Sequence, residues 1–86
     1  MDTRNKIVDA AQFARQIDLW RASSIPVAIA SGTFDPLLAA HARLASEARP
    51  AGGRLAVILT PPADPILDPR ARAELAAALA AVDLVT

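Results

Sequence analysis

One stretch, Ser31-Gly32-Thr33-Phe34-Asp35-Pro36-Leu37-Leu38-Ala39-Ala40-His41, gathers a glycine, an acid, a proline and the only histidine of the chain. It follows an apolar strand pattern and opens a helical one, the junction at which α/β proteins bind phosphate. Backbone N–H groups and the helix dipole favour anionic oxygens around Asp35–Leu38. His41 alone is ambiguous, since a single histidine on an amphipathic helix is more often a surface or satisfied structural residue than a ligand-binding one. Elsewhere the sequence offers no carboxylate pair, serine–histidine couple or multi-histidine cluster that would support another chemistry. Plainer roles stand beside these. Asp35 reads as an N-cap with Pro36 in the first helical position, and Gly32 as the residue that permits a tight turn.

The elements around this stretch are legible from periodicity. From about Asp9 to Ala22, Phe13, Ile17 and Trp20 recur at spacings of four and three, predicting a helix with one apolar stripe. Ser23-Ser24 ends it. Val27–Ala30 lies in a nearly all-apolar run that suits a buried parallel strand, with Pro26 only at its start. A second helix is expected from Asp35 to about Ala48, stopped by Arg49-Pro50-Ala51-Gly52-Gly53. Leu55–Leu59 predicts a second strand, and Thr60 to Pro65 a loop stiffened by three prolines. Asp68-Pro69 repeats the cap-then-proline pattern ahead of a third helix, Arg70 to about Ala81. Val82–Thr86 closes the chain as a third strand. Phe13, Trp20 and Phe34 are expected in the core, and Arg70 and Arg72 at a solvated helix start.

The order α-β-α-β-α-β predicts a three-layer α/β/α half-Rossmann unit, residues 1–86, with a short parallel sheet ordered 3-2-1. In that order the first strand is an edge, and its apolar character predicts a covering partner, a homodimer or another chain.

Composition bounds the partners. Formal net charge is zero, with acids and bases interspersed, which argues against nucleic acid or an anionic membrane surface. Disulfides and thiolate metal sites are excluded by the absence of cysteine. No apolar run reaches the roughly 20 residues of a membrane span, and the first residues lack a signal-peptide core. The expectation is a cytoplasmic domain. At 86 residues it buries only about 60% of its unfolded surface, and its alanine-rich helices add little area per residue.

The stretch resembles the G-x-F-D-x-x-H-x-G-H signature of the cytidylyltransferase-like nucleotidyltransferases. Gly32, Phe34, Asp35 and His41 match; Leu38 stands at the first histidine and Ala40 at the inner glycine. Lys6-Ile7-Val8 ahead of the first helix, Arg72-Ala73-Glu74-Leu75, and Ala80-Ala81-Val82-Asp83-Leu84-Val85 extend the resemblance. It is closest to the adenylyltransferase domain of bacterial ADP-heptose synthases, of whose family fold this is the N-terminal portion. The resemblance implies nucleotidyl transfer to a sugar- or alcohol-phosphate, with ATP or CTP, Mg²⁺ and loss of pyrophosphate. It also implies His41 as catalytic donor and Gly32, Thr33, Phe34, Asp35, Leu38, Ala40 and Arg72 as nucleotide- or phosphate-binding positions.

The departures from the signature share a direction. Leu38 has no donor, Ala40 adds a methyl group where the family surface is bare, and the sole lysine is Lys6. The family's further βα portion, with its serine/threonine-rich phosphate site, is not expected within residues 1–86. A nucleotidyltransferase-like protein that is weak or inactive alone is the reading these features imply. An active adenylyl- or cytidylyltransferase completed by a second chain and a non-catalytic assembly or regulatory module are the alternatives.

Overall fold

The structure, a computed structural model, describes residues 2–35 and 37–86. A 3₁₀ turn, Thr3–Lys6, leads into α1 (Ala10–Ala22), β1 (Val27–Gly32), α2 (Ala39–Ala48), β2 (Arg54–Leu59), α3 (Pro69–Ala77) and β3 (Leu84–Val85). The three strands form one parallel sheet in the order β1-β2-β3, as the sequence predicts. Val27 to Gly32 pairs with Arg54 to Leu59 in unbroken register, and Ala56 and Val57 pair with Leu84 and Val85.

The three layers follow from the period-2 alternation of β2. Leu55 and Val57 face one side, where they meet Ala45 of α2 and Ala73, Ala76 and Ala77 of α3, with Val82 and Val85. Ala56 faces the other side and packs with Leu84, Phe13 and Ile17 of α1. Trp20 is only half-buried, not core, and its ring lies 5.9 Å from the Arg54 guanidinium. Phe34 is half-buried as well.

The two edges of the sheet differ. Beside β3, Ile7 forms a parallel bridge to Val85, and the Val8 N–H donates to the Val85 carbonyl at 2.9 Å. β1 has no partner on its outer side among the described residues. Near it Ile29 is 46% exposed, so the apolar strand read from the sequence is left partly uncovered.

Helix boundaries correct the sequence reading in two places. α2 starts at Ala39, with Leu38 as N-cap, rather than just after Asp35. The expected helical position of Pro36 lies outside the described residues. α3 ends at Ala77 rather than near Ala81. There Ala78 and Leu79 N–H groups bond back three residues to Leu75 and Ala76, which tightens the last turn and directs the chain toward β3. Lys6 Nζ then donates to the carbonyls of Leu79 (3.2 Å) and Val82 (2.7 Å), satisfying groups that the helix no longer serves.

The turn before β2 depends on its glycines. Gly52 has φ +69°, and a Cβ on Gly53 would collide with the Pro26 carbonyl oxygen. That carbonyl accepts the Arg54 N–H at 2.9 Å, the first link between the second and first strands.

Candidate functional site

The candidate residues gather at the C-terminal ends of β1 and β2, where open parallel sheets place their ligands. Gly32 ends β1, and its carbonyl accepts the Thr60 N–H at 2.9 Å, tying the two exits together. A Cβ at Gly32 would meet only the Phe34 ring at 3.7–4.0 Å, an ordinary contact, so the turn does not require glycine there. Phe34 takes the left-handed conformation instead, with φ +47°. For a bulky residue that conformation is strained, and such strain clusters at functional loops.

The Phe34 turn redirects Asp35. Its carboxylate accepts the N–H groups of Ile66 (2.7 Å) and Leu67 (2.6 Å), across the gap to the loop before α3. Asp35 is therefore a strap between two loops and not the N-cap expected of it.

His41 supplies the missing cap. It occupies the third position of α2, and its Nδ1 accepts the Leu38 N–H at 2.8 Å. This hydrogen bond assigns the proton of the neutral imidazole to Nε2. The ring stands edge-on to Phe34, with centroids 5.0 Å apart and planes at 87°. Leu38 itself is 56% exposed, and Ala40 is exposed in the first helical turn. The short cluster Gly32, Thr33, Phe34 and His41 is thus assembled, while Asp35 is drawn away from it.

Arg72 reverses the solvated reading. It is only 5% exposed, and its Nη1 donates to the carbonyls of Thr60 (3.0 Å) and Thr33 (3.4 Å). Its Nε has no hydrogen-bond partner, and no carboxylate forms an ion pair with it among the described residues. A buried cation without a counter-charge is costly, and its electrostatic demand falls at the strand ends. Sequence reasoning missed this burial because helix position alone placed Arg72 beside the exposed Arg70.

It also missed Asp83. That carboxylate accepts Arg49 Nε (3.0 Å), Arg49 Nη2 (3.3 Å) and the Leu55 N–H (2.9 Å), anchoring the end of α2 to β2 and β3. The pairing holds Arg49 above its ordinary pKa, chiefly through these hydrogen bonds. The available signal was an acid isolated within an apolar strand pattern.

A cavity of about 360 Å³ lies between α2, α3 and the sheet, with Gly32, Phe34 and His41 in its wall. Ala45 and Ala48 of α2 and Ala76 of α3 also line it, and their small side chains leave the room.

The arrangement can hold an anion through Arg72 and the helix start, and can offer one imidazole donor. It does not provide a metal cage: no group of three His, Asp or Glu side chains converges among the described residues. Both Asp35 oxygens are also occupied by backbone N–H groups. Mg²⁺ in such a site would be carried by substrate phosphates rather than by this chain.

The fold and site define a parallel α/β unit whose candidate residues sit at the strand-to-helix junction after β1. Comparison gives the particular relationship. The chain is 36% identical over 88 residues to the bifunctional protein HldE of Bradyrhizobium sp. (strain ORS 278), covering 92% of this chain and 18% of the relative. It is 38% identical over 88 residues to the HldE of Bradyrhizobium diazoefficiens, again 92% of this chain and 18% of the relative. For the HldE of Rhodopseudomonas palustris (strain BisA53) the figures are 40% over 90 residues, 93% and 18%. The chain therefore spans about a fifth of the length of the curated relatives it matches. The chain is thus similar to the HldE (ADP-heptose synthase) proteins, consistent with their nucleotidyltransferase-like domain. No family model and no solved structure matches the chain. No helix among the described residues is long and apolar enough to cross a membrane.

Proposed function

We propose that this chain is a cytoplasmic, nucleotidyltransferase-like protein that holds a nucleotide or phosphate near Gly32–His41 and is weak or inactive in transfer by itself. The observation that carries the reading is the state of α2's first turn. Leu38 contributes no side-chain donor, and His41 uses Nδ1 to accept the Leu38 N–H. One imidazole N–H, at Nε2, remains where the resemblance implies two donors. One lost transition-state donor lowers a rate by about 10²–10³. The methyl group of Ala40 further raises the helix surface that a nucleotide would approach.

Anion binding is supported by Arg72. Its charge sits beside the Thr33 and Thr60 carbonyls without a carboxylate to balance it. A phosphate drawn to the same strand ends would supply that balance. Titration with ATP and with CTP in the presence of Mg²⁺ tests this: saturable binding is expected, weakened at least tenfold in Arg72→Met with unchanged circular dichroism. Absence of binding to either nucleotide would remove the reading.

A second reading, an enzyme completed by another chain, is favoured by the bare edge of β1 beside the exposed Ile29. A homodimer or heteromeric partner covering Val27–Ala30 would pair that edge. Light scattering at micromolar concentration distinguishes the two, because a monodisperse monomer excludes the homodimeric form. A heteromeric form would require co-purification with a defined second chain that restores pyrophosphate release.

A further inference from the structure

The cavity between α2 and the sheet has a composition unlike that of the anion-binding strand ends. None of its fourteen lining residues carries a formal charge with His41 neutral, and the wall is mostly aliphatic, with Leu44, Leu55, Val57, Leu79 and Val82 among its residues. Ser31, Thr33 and His41 are the polar residues of its lining. His41 is held there as the tautomer with a proton on Nε2, because Nδ1 accepts the Leu38 N–H. Phe34 and His41 contribute two mutually perpendicular rings.

We propose that this cavity is a binding site for a small, neutral, planar aromatic molecule of fused-bicyclic size, bearing one hydrogen-bond acceptor or donor. Size follows from volume: a dry apolar cavity of about 150 Å³ accommodates benzene, and this one, at about 360 Å³, is more than twice as large. Neutrality follows from the lining, since a charged ligand would lose its hydration without meeting an opposite charge. Planarity follows from the two ring walls, against which an aromatic ligand stacks or meets edge to face. The polar atom of the ligand is matched by Thr33 and the His41 Nε2–H, polar groups of the lining. The cavity shares Gly32, Thr33, Phe34 and His41 with the nucleotide reading, but the inference uses neither Arg72 nor the helix N–H groups.

Indole and 1-hexanol are the probes, titrated into the full chain while backbone amide shifts are followed by NMR. Indole is expected to shift the amides of Ala45, Ala48, Ala76 and Val82 saturably, with a dissociation constant of about 1 mM or below. 1-Hexanol is expected to bind at least threefold more weakly. Ala45→Leu and Ala48→Leu both project bulk into the cavity and should weaken indole binding at least tenfold; Ala48 is exposed, so its variant retains the fold. Indole that leaves the lining amides unshifted, or that binds Ala48→Leu unchanged, would overturn the proposal. Tighter binding of 1-hexanol than of indole would overturn the aromatic class. Loss of nucleotide binding with indole binding retained would count against the proposed function alone.

Discussion

Two strand-to-helix crossings, β1 to α2 and β2 to α3, carry the same Asp-Pro dipeptide and resolve it differently. Before α3, Asp68 caps the helix, accepting the Ala71 N–H at 2.7 Å, and Pro69 is the first helical residue. Before α2, Asp35 reaches to Ile66 and Leu67 instead, and the helix waits until Ala39. Packing differs in the same sense: α3 buries Arg72, Ala73, Ala76 and Ala77, whereas α2 buries Ala45. The better-packed crossing is the structural half. The looser one carries the strained Phe34, the capping histidine and the cavity. An identical local signal thus yields a cap only where the preceding backbone aims the carboxylate along the helix.

The contrast can be broken most forcefully in the core. Leu55 is fully buried, and Leu55→Ala is expected to lower unfolding free energy by about 2–5 kcal/mol in urea denaturation. Leu44→Ala on α2, where the side chain is 60% exposed, should change it by no more than about 0.5 kcal/mol. Equal losses would show that the Leu44 side of α2 is packed as tightly as the core around Leu55.

Gly53→Ala comes next, at about 1–3 kcal/mol, because the new methyl collides with the Pro26 carbonyl that starts the β1–β2 ladder. The companion change Ala51→Ser, at an exposed turn position, should be silent. The two aspartates give a smaller and more discriminating pair. Asp68→Ala should cost about 1 kcal/mol through loss of a helix cap. Asp35→Ala should leave α2 amide protection unchanged while hastening hydrogen exchange at Ile66 and Leu67. Faster exchange throughout α2 would restore Asp35 as its cap.

The smallest effect lies far from both crossings. Hydrogen bonds from the Arg4 side chain and N–H lower the Asp2 pKa to about 2. A depressed carboxylate pKa contributes stability above its ordinary value of 3.8, lost as pH falls through about 2. NMR titration of Asp2 should show that low midpoint, and Arg4→Ala should return it toward 3.8. A single acid-range slope in stability common to both proteins would contradict the assignment.

Much of this architecture was legible in the residues. Continuous apolar runs at Val27–Ala30 and Leu55–Leu59 identify parallel strands because both faces of a covered sheet are apolar. The edge position of β1 followed from strand order. The start of α2 was not legible, since Asp35-Pro36 satisfies every local rule for a helix start; the competing acceptor need of Asp35 is met 31 and 32 residues away. Arg72 was recognised as a candidate, yet its burial arises from tertiary contact with Thr33 and Thr60, which no helical periodicity encodes. His41 was found by its place in the signature. Its capping role depends on where α2 begins, so it was missed together with that boundary.

The central claim, a nucleotide-holding site that lacks transfer competence, is tested most directly by pyrophosphate release. The chain is incubated with ATP or CTP, Mg²⁺ and a panel of sugar phosphates under conditions where nucleotide binding is saturated. The account predicts no release above the uncatalysed background, because Leu38 has no donor and Ala40 crowds the helix surface. Turnover within tenfold of an ordinary enzymatic rate of about 10 s⁻¹ would contradict it.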